Sequence, residues 1–277
     1  MSLLISKPQD SVSCLAIYDW EPPLVQAVWL ALVLDFFQKL RIEPNLAVCG
    51  AGGKWSKPIK LSTLQSRVER GNLFEFIELY LLPENYQTML DATAGVLFED
   101  TGVAPQGKRS MIFTVPGNLD SNKEKLYELC KSIAQHCEPS YGIGYELNKA
   151  CGPINYGLGI IQSSKDCQLE PLEEEKIAIW FRERIGSRDA GPKNRHLLGK
   201  IRDVYRLNIL SGVHLSTSVH GMTLKEWILA DSRRGILEKL GSKSSLWEIP
   251  TVAVGEIRKY LSREGLLICD QEMVDVR

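Results

Sequence analysis

The sequence predicts an α/β (α+β) fold in which mixed or antiparallel sheets are flanked by helices, with a more helical C-terminal third. Hydrophobic residues make up 44% of the 277 residues and charged residues 24%, as in ordinary folded globular chains. Short apolar and β-branched segments alternate with longer segments of helical periodicity. This alternation indicates packed layers of strands and helices.

The first half of the chain holds most of the predicted strands. Composition and turn residues predict strands at residues 13–18, 74–82, 111–115, 141–147 and 158–162. Apolar spacing predicts helices at residues 24–40, 84–97 and 121–137. The third helix has the clearest pattern, because Leu126, Leu129 and Ile133 recur on one face opposite lysines and glutamates.

From residue 171 the predicted elements are more helical. Pro171 and an acidic first turn begin a helix that ends at Gly186. Thr223 and Glu226 have the spacing of a capping box, which begins a further helix. The remaining elements are strands at residues 236–240 and 246–249 and a helix at residues 252–262. The loop 186–195 predicts a division into an α/β lobe, 1–185, and a smaller, mainly helical α+β lobe, 186–277, packed against it.

Composition also bears on partners and location. The net charge is -1, without the basic excess of a dedicated nucleic-acid binder, so we expect no direct nucleic-acid partner. The most apolar stretch, residues 24–37, is shorter than the ~20 residues that span a bilayer, so we expect no membrane partner. Seven cysteines without a CxxC pair indicate reduced, buried thiols and a cytoplasmic protein. The sequence does not predict the oligomeric state.

No motif for catalysis, a cofactor or a metal stands out. The stretch from Gly50 to Lys54 resembles a phosphate loop, but it lacks the first glycine, and Trp55 replaces the hydroxyl residue. The four histidines do not have the spacing of common zinc motifs. We therefore predict no catalytic residue, cofactor or metal ligand. An enzyme of unrecognised type remains an alternative, and it would bring His214, His220, Asp203 and Lys54 together in a concave site.

Charge is unevenly distributed along the chain. Residues 120–176 contain ten acids and six lysines, whereas residues 182–206 contain eight basic residues and three acids. A mixed solvated surface is one interpretation. The other is a bipolar protein whose acidic face meets a basic partner. Trp180, Trp227 and Trp247 have apolar neighbours and are predicted to lie in the core, while an exposed tryptophan would be a natural interface anchor.

The C-terminal third resembles bacterial immunity proteins paired with polymorphic toxins, most closely the type VI secretion immunity group that includes TsiT. The segments that carry the resemblance are residues 201–211, 214–215, 224–228, 235–240, 246–247 and 257–267. The order of the segments at 74–82 and 111–115 is similar to that of the group's N-terminal half. The resemblance covers most of the chain through diffuse, apolar motifs.

This resemblance implies a cytoplasmic protein that binds a cognate secreted toxin, of nuclease-like fold, and protects the producing cell. Because a nuclease site is positively charged, an inhibitor that covers it should present acids. The candidate partner-binding acids are Asp166, Glu170, Glu173, Glu174 and Glu175, with Glu99 and Asp100 as a second patch. The alternative from another class is a secretion chaperone or adaptor, which would bind its client without blocking the toxin's activity.

Overall fold

A computed structural model describes residues 11–52, 54–101, 108–162, 167, 169–186 and 191–273. In these ranges the chain forms one large antiparallel sheet of ten strands and a separate two-stranded hairpin. The strands are β1 Ser11–Glu21, β2 Leu46–Ala51, β3 Lys54–Trp55, β4 Phe76–Leu81, β5 Ala94–Asp100, β6 Arg109–Pro116, β7 Glu138–Asn148, β8 Leu207–Ser211, β9 Ser218–Val219, β10 Met222–Thr223, β11 Ile236–Lys239 and β12 Ser244–Glu248.

Eight α-helices accompany these strands in the described ranges. They are α1 Gln26–Lys39, α2 Leu61–Glu69, α3 Leu119–Ala134, α4 Pro153–Leu158, α5 Pro171–Ile185, α6 Gly212–Ser216, α7 Leu224–Leu229 and α8 Val254–Arg263. The large sheet has the order β11-β12-β8-β7-β1-β6-β5-β4-β2-β3, and β9 pairs with β10.

The strand β1 lies near the middle of the sheet and is buried on both faces. Leu15 and Ile17 point into one hydrophobic core, and Cys14, Ala16 and Tyr18 point into the other. This is the two-residue alternation of a strand with both faces covered, which is why the segment contains almost no charged side chain.

The two cores are covered by different helices. The first contains buried side chains of α1, α2 and α3, and the second contains side chains of α4, α5, α7 and α8. At the junction between β7 and β8, a methyl group on Gly144 would lie 2.8 Å from Cβ of Leu207. Glycine is therefore required for these two strands to approach as closely as they do.

The predicted combination of an antiparallel sheet with flanking helices is confirmed, but a more helical C-terminal third is not. The strands β8, β11 and β12 come from this third and extend the main sheet. Sequence analysis predicted β11 and β12 as short strands but did not predict β8 at Leu207–Ser211, and all three depend on pairing with β7 and with one another. The division at residue 186 stays a prediction, although β7 and β8, from either side of it, pair directly.

Two local predictions are wrong. The predicted helix at 84–97 is a short 3₁₀ turn, Met89–Asp91, followed by β5, because residues 94–100 pair with β4 on one side and β6 on the other. The predicted strand at 158–162 follows the helix α4 and contains no strand. Gly159 ends α4 with φ +85, and a Cβ at this position would lie 2.8 Å from the backbone nitrogen of Phe181.

Other elements match their predictions. Helix α5 begins at Pro171 and ends at Ile185, as predicted from Pro171 and Gly186. The Thr223–Glu226 capping box is present in both directions at the start of α7. None of the helices in the described ranges is both long and apolar enough to cross a membrane.

Candidate functional site

The first turn of α5 brings four of the predicted partner-binding acids together. Pro171 begins the helix, Glu170 is the preceding N-cap residue, and Glu173 and Glu174 lie in the first turn. Glu170 and Glu175 are exposed, and the two glutamates between them are partly exposed. The partial positive charge at a helix N-terminus stabilises such a cluster of carboxylates. We call Glu170, Glu173, Glu174 and Glu175 the acidic start of α5.

Three of these four carboxylates are available to a partner. Glu173 accepts a hydrogen bond from Nζ of Lys176 at 2.7 Å. Glu170, Glu174 and Glu175 form no ion pair and no side-chain hydrogen bond with the other described residues. Their charges are therefore not neutralised by another group of the described chain.

A chain of ion pairs fixes the acidic start of α5 to the C-terminal part of the fold. Lys176 lies 3.1 Å from Asp203, Asp203 lies 2.8 Å from Arg258, and Arg258 lies 2.6 Å from Asp270. Burial opposes the charge of Lys176, but the carboxylates of Asp203 and Glu173 outweigh it and raise its pKa. Lys176 is thus a charged group that ion pairs connect both to Glu173 and to Asp203.

The other predicted acids are not part of this cluster. Glu99 and Asp100 lie at the end of β5, and Asp100 pairs with Arg109 at 3.4 Å. Arg109 in turn accepts a backbone hydrogen bond from Arg184 at the far end of α5. Glu173 and Arg184 are eleven residues apart, or about 16 Å at the rise of an α-helix, so the two patches are separate. Asp166 lies outside the described residues.

The far end of α5 is held by a buried polar cluster centred on Asp19. Oδ2 of Asp19 accepts hydrogen bonds from Nη1 of Arg184 at 2.7 Å and from Nε2 of His196 at 2.8 Å. The second guanidinium nitrogen of Arg184 donates to the carbonyl of Arg109 and to Oγ of Ser110. This cluster joins β1, β6, α5 and the 3₁₀ turn that carries His196.

The protonation states in this cluster suit a structural role. Burial would raise the pKa of Asp19, but Arg184 and His196 outweigh it and hold the pKa well below its usual range. Burial lowers the pKa of His196. The hydrogen bond to Asp19 opposes this shift, the charge of Arg184 adds to it, and the net change is a lower pKa. The imidazole and the guanidinium are almost completely buried, whereas the Asp19 side chain is about one quarter exposed.

Arg202 forms a second buried cationic centre on the same face of the sheet. Its guanidinium lies 4.6 Å from the ring centre of Tyr156 and 5.3 Å from that of Trp180. Both terminal nitrogens donate to the carbonyl of Tyr156 at 3.1 Å. Cation–π contacts thus replace the carboxylate partner that a buried arginine usually has.

The residues named for an unrecognised enzyme do not converge. His214 is buried, lies 2.8 Å from Oγ of Ser211, and stacks on Tyr141. His220 is exposed in the β9–β10 turn, Asp203 belongs to the ion-pair chain beneath α5, and Lys54 is exposed on β3. Within the described residues there is also no group of three His, Cys, Asp or Glu side chains able to hold a metal ion.

The prediction that all seven cysteines are reduced is not met, because two of them form a disulfide. Cys151 and Cys167 form a disulfide, with their α-carbons 5.3 Å apart. The sequence did not predict this disulfide, because the two cysteines are 16 positions apart and the helix α4 lies between them in the chain. The other five cysteines are free and buried, as predicted for small apolar residues.

All six tryptophans lie in the described residues, and Trp55 differs from the rest. Trp180, Trp227 and Trp247 are buried, as predicted, and so are Trp20 and Trp29. Trp55 is 52% exposed and stacks on Phe76. In the sequence, Trp55 stands where a phosphate loop would have a hydroxyl residue. Its position among glycine and lysine residues was the available signal that it lies at a surface.

Comparison with known proteins identifies a likeness in fold alone. No family model matches the chain, and no curated protein matches it. Among solved structures, the chain is similar to the Pseudomonas aeruginosa T6SS protein PA0821, with a TM-score of 0.55 and 12% sequence identity. The match covers 86% of this chain and 65% of that protein, so this chain spans just under two thirds of its length.

Proposed function

We propose that this protein binds and neutralises a secreted protein toxin of a type VI secretion system through the acidic start of α5. The observation that carries the proposal is that three carboxylates without an ion pair to the other described residues lie at a helix end. Partly buried ion pairs of Lys176 connect this helix end to the C-terminal part of the fold. The likeness in fold to a T6SS protein supports the association with this secretion system. No residue of the protein is assigned a catalytic role.

Electrostatics favour a basic site on the toxin as the surface that is covered. A toxin that cuts nucleic acid presents positive charge where it holds phosphate. Carboxylates on a rigid inhibitor can occupy that site, and charge complementarity speeds the encounter. Because Glu170, Glu174 and Glu175 form no ion pair with the other described residues, they can pair with the toxin without first breaking an internal one.

Two observations indicate different compartments for the encounter of the two proteins. The resemblance to immunity proteins implies the cytoplasm, whereas a disulfide such as Cys151–Cys167 is typical of oxidising compartments. Neutralisation requires only that the protein reaches the compartment in which the toxin acts. The redox state of these two cysteines in living cells therefore distinguishes the two locations.

Charge reversal at the acidic start tests the proposal. The triple variant E170K/E174K/E175K should bind the toxin encoded beside this protein's gene at least about tenfold more weakly, mainly through slower association at low salt. The control variant E43K/E84K/E256K changes net charge equally at other exposed positions and should bind like the wild type. Equal affinity of the wild type and the α5 variant would remove this surface from the interface.

A toxin activity assay separates neutralisation from the chaperone alternative. Addition of the wild-type protein should abolish the activity of the purified toxin, and the α5 variant should require a correspondingly higher concentration. Stable binding without loss of activity would instead identify a chaperone or adaptor.

A further inference from the structure

The edge of the main sheet formed by β3 carries an exposed aromatic ring. Trp55 pairs in register with Gly50 of β2 and stacks on Phe76 of β4, with ring centres 4.7 Å apart and planes 13° apart. Phe76 covers one face of the indole and fixes its orientation, while half of the side chain remains exposed. The other face of a rigid, oriented ring is thus accessible from solvent.

Basic residues are frequent in the segment that carries this ring and continues through α2. Lys54, Lys57, Lys60 and Arg70 are exposed, and none forms an ion pair with the other described residues. Residues 54–70 contain five basic residues and a single acid, Glu69. Hydrogen bonds between Cys49 and Ser56 and between Ala47 and Ile59 hold this segment against β2. We call Lys54, Trp55, Lys57, Lys60 and Arg70 the β3 edge surface.

Protection of the sheet edge explains only part of this arrangement. Lysines, a proline such as Pro58 and a very short strand all discourage another strand from pairing at an edge. An exposed tryptophan does not serve that purpose, because it presents apolar area to water and invites association. Trp55 together with unneutralised cations is instead the composition of a side-chain docking site, where an aromatic anchor is bordered by charge.

We propose that the β3 edge surface binds an acidic segment of a partner protein. An apolar side chain of that segment packs on the open face of Trp55, and its carboxylates pair with the surrounding lysines. Charge complementarity argues for this occupant. Single-stranded nucleic acid fits less well, since it requires successive aromatic platforms and Trp55 offers one open ring face.

This surface is independent of the acidic start of α5. Helix α5 packs in the core on β1 and β7, whereas β3 is the last strand of the sheet, five positions from β1. At the spacing of neighbouring strands this separation is about 24 Å. A partner that contacts both surfaces must be large, and two different partners can bind at once.

The position of Trp55 allows a direct test with the full-length protein. The other five tryptophans are buried, so in a ¹⁵N-labelled sample a soluble peptide of alternating glutamate and leucine should shift the Trp55 indole signal alone among the six. The shift should saturate with peptide concentration and decrease in high salt. Absence of a saturable shift of the Trp55 signal would overturn the proposal.

Two variants and a control show whether the ring and the charges act together. W55A and K54E/K57E/K60E should each weaken peptide binding at least about tenfold. Because W55A has no indole signal at this position, its peptide binding is measured from backbone amide shifts. The control K225E/K239E/K259E reverses three exposed lysines elsewhere and should bind normally. Equal weakening by the control would mean that net charge alone attracts the peptide, which would overturn the docking site.

Two other occupants would also contradict the proposal. Tighter binding of an oligothymidylate than of the acidic peptide would identify a nucleic-acid site. Self-association of the wild type that W55A abolishes, measured by sedimentation, would identify a second copy of the chain as the occupant. The variant E170K/E174K/E175K should leave the peptide titration unchanged, so failure of the toxin proposal and failure of this one are distinguishable.

Discussion

Asp19 and Arg184 are 165 positions apart, yet Oδ2 of the partly exposed Asp19 accepts a 2.7 Å hydrogen bond from Nη1 of the buried Arg184. The pair joins the end of the central strand β1 to the last turn of α5. The opposite end of the same helix carries the glutamates proposed to meet the toxin. The orientation of α5 therefore depends on the partly buried Asp19–Arg184 pair at one end and on the Lys176–Asp203 pair at the other.

Removal of the cation from the Asp19–Arg184 pair should be destabilising. In R184M the partly exposed carboxylate of Asp19 keeps only His196 and the backbone N–H of Arg109 as partners. Removal of one partner from a fully buried pair typically costs about 3–5 kcal/mol, so we expect a loss at or below the lower end of this range. Urea unfolding at neutral pH measures the loss. The double variant D19N/R184M should lose less than the sum of the single variants, because the two groups interact directly. Additive losses would show that the pair does not act as a unit.

Acid should destabilise the protein through its two buried histidines. Burial lowers the pKa of His214 from 6.5 to about 4, and it also lowers the pKa of His196. Each histidine is neutral when folded and takes up a proton more readily when unfolded, so stability falls as pH decreases from about 6.5. For His214 the full effect, reached below about pH 4, is on the order of 3 kcal/mol. Asp19 acts in the same direction at lower pH, because its stabilising charge is lost as the pH falls below its ordinary pKa.

The variant H214F tests this pH dependence. Phenylalanine keeps a ring against Tyr141 but does not titrate, so the difference in unfolding free energy between about pH 7 and about pH 4.5 should shrink. The exposed His136 provides the control, and H136Q should keep the wild-type difference. An unchanged pH dependence in H214F would show that His214 is already charged in the folded protein.

The success of sequence analysis depended on how local each signal was. Pro171, Gly186 and the Thr223–Glu226 box act within one helical turn, and the structure has α5 and α7 where they were predicted. The predicted helix 84–97 included the first four residues of β5, because a short apolar segment can fit the spacing of a helix or of a strand. Pairing of residues 94–100 with β4 and β6 makes this segment a strand.

At the candidate site, too, local sequence predicted the neighbouring residues but not their contacts with distant segments. The four glutamates around the start of α5 are neighbours in the sequence, so their clustering was predictable. Their attachment was not, because Lys176 pairs with Asp203 and Asp203 with Arg258, across three separate segments. The disulfide and the exposure of Trp55 likewise depend on chain folding over distances that local patterns do not report.

Reduction of the Cys151–Cys167 disulfide should destabilise the protein and leave the other thiols inert. A closed loop of this length contributes about 3 kcal/mol by restricting the unfolded chain, so C151S/C167S and a reducing agent should lower unfolding free energy similarly. Burial raises the pKa of Cys130, Cys137 and Cys269 to about 12, so alkylating agents should modify them only after unfolding.

The same two cysteines report the compartment. In intact cells of the native host, alkylation followed by mass spectrometry should find Cys151 and Cys167 protected as a disulfide if the protein works in an oxidising compartment. Complete alkylation of both in cells, with disulfide formation only after lysis, would place the protein in the cytoplasm.

Close approach of β7 and β8 makes Gly144 intolerant of even one methyl group. In G144A the new Cβ would lie 2.8 Å from Cβ of Leu207, which is buried in the first core and cannot move without shifting its backbone. Overpacking of this kind costs about 1–3 kcal/mol, and thermal or urea unfolding measures it. Gly191 is the matched control, because a Cβ there would meet no atom of the described residues within 4 Å, and G191A should keep wild-type stability. A loss of stability in G144A also tests how strongly β8, and through it β12 and β11, depends on β7. If G144A is as stable as G191A, β7 and β8 must be able to separate without cost. The continuous sheet across this junction would then be wrong.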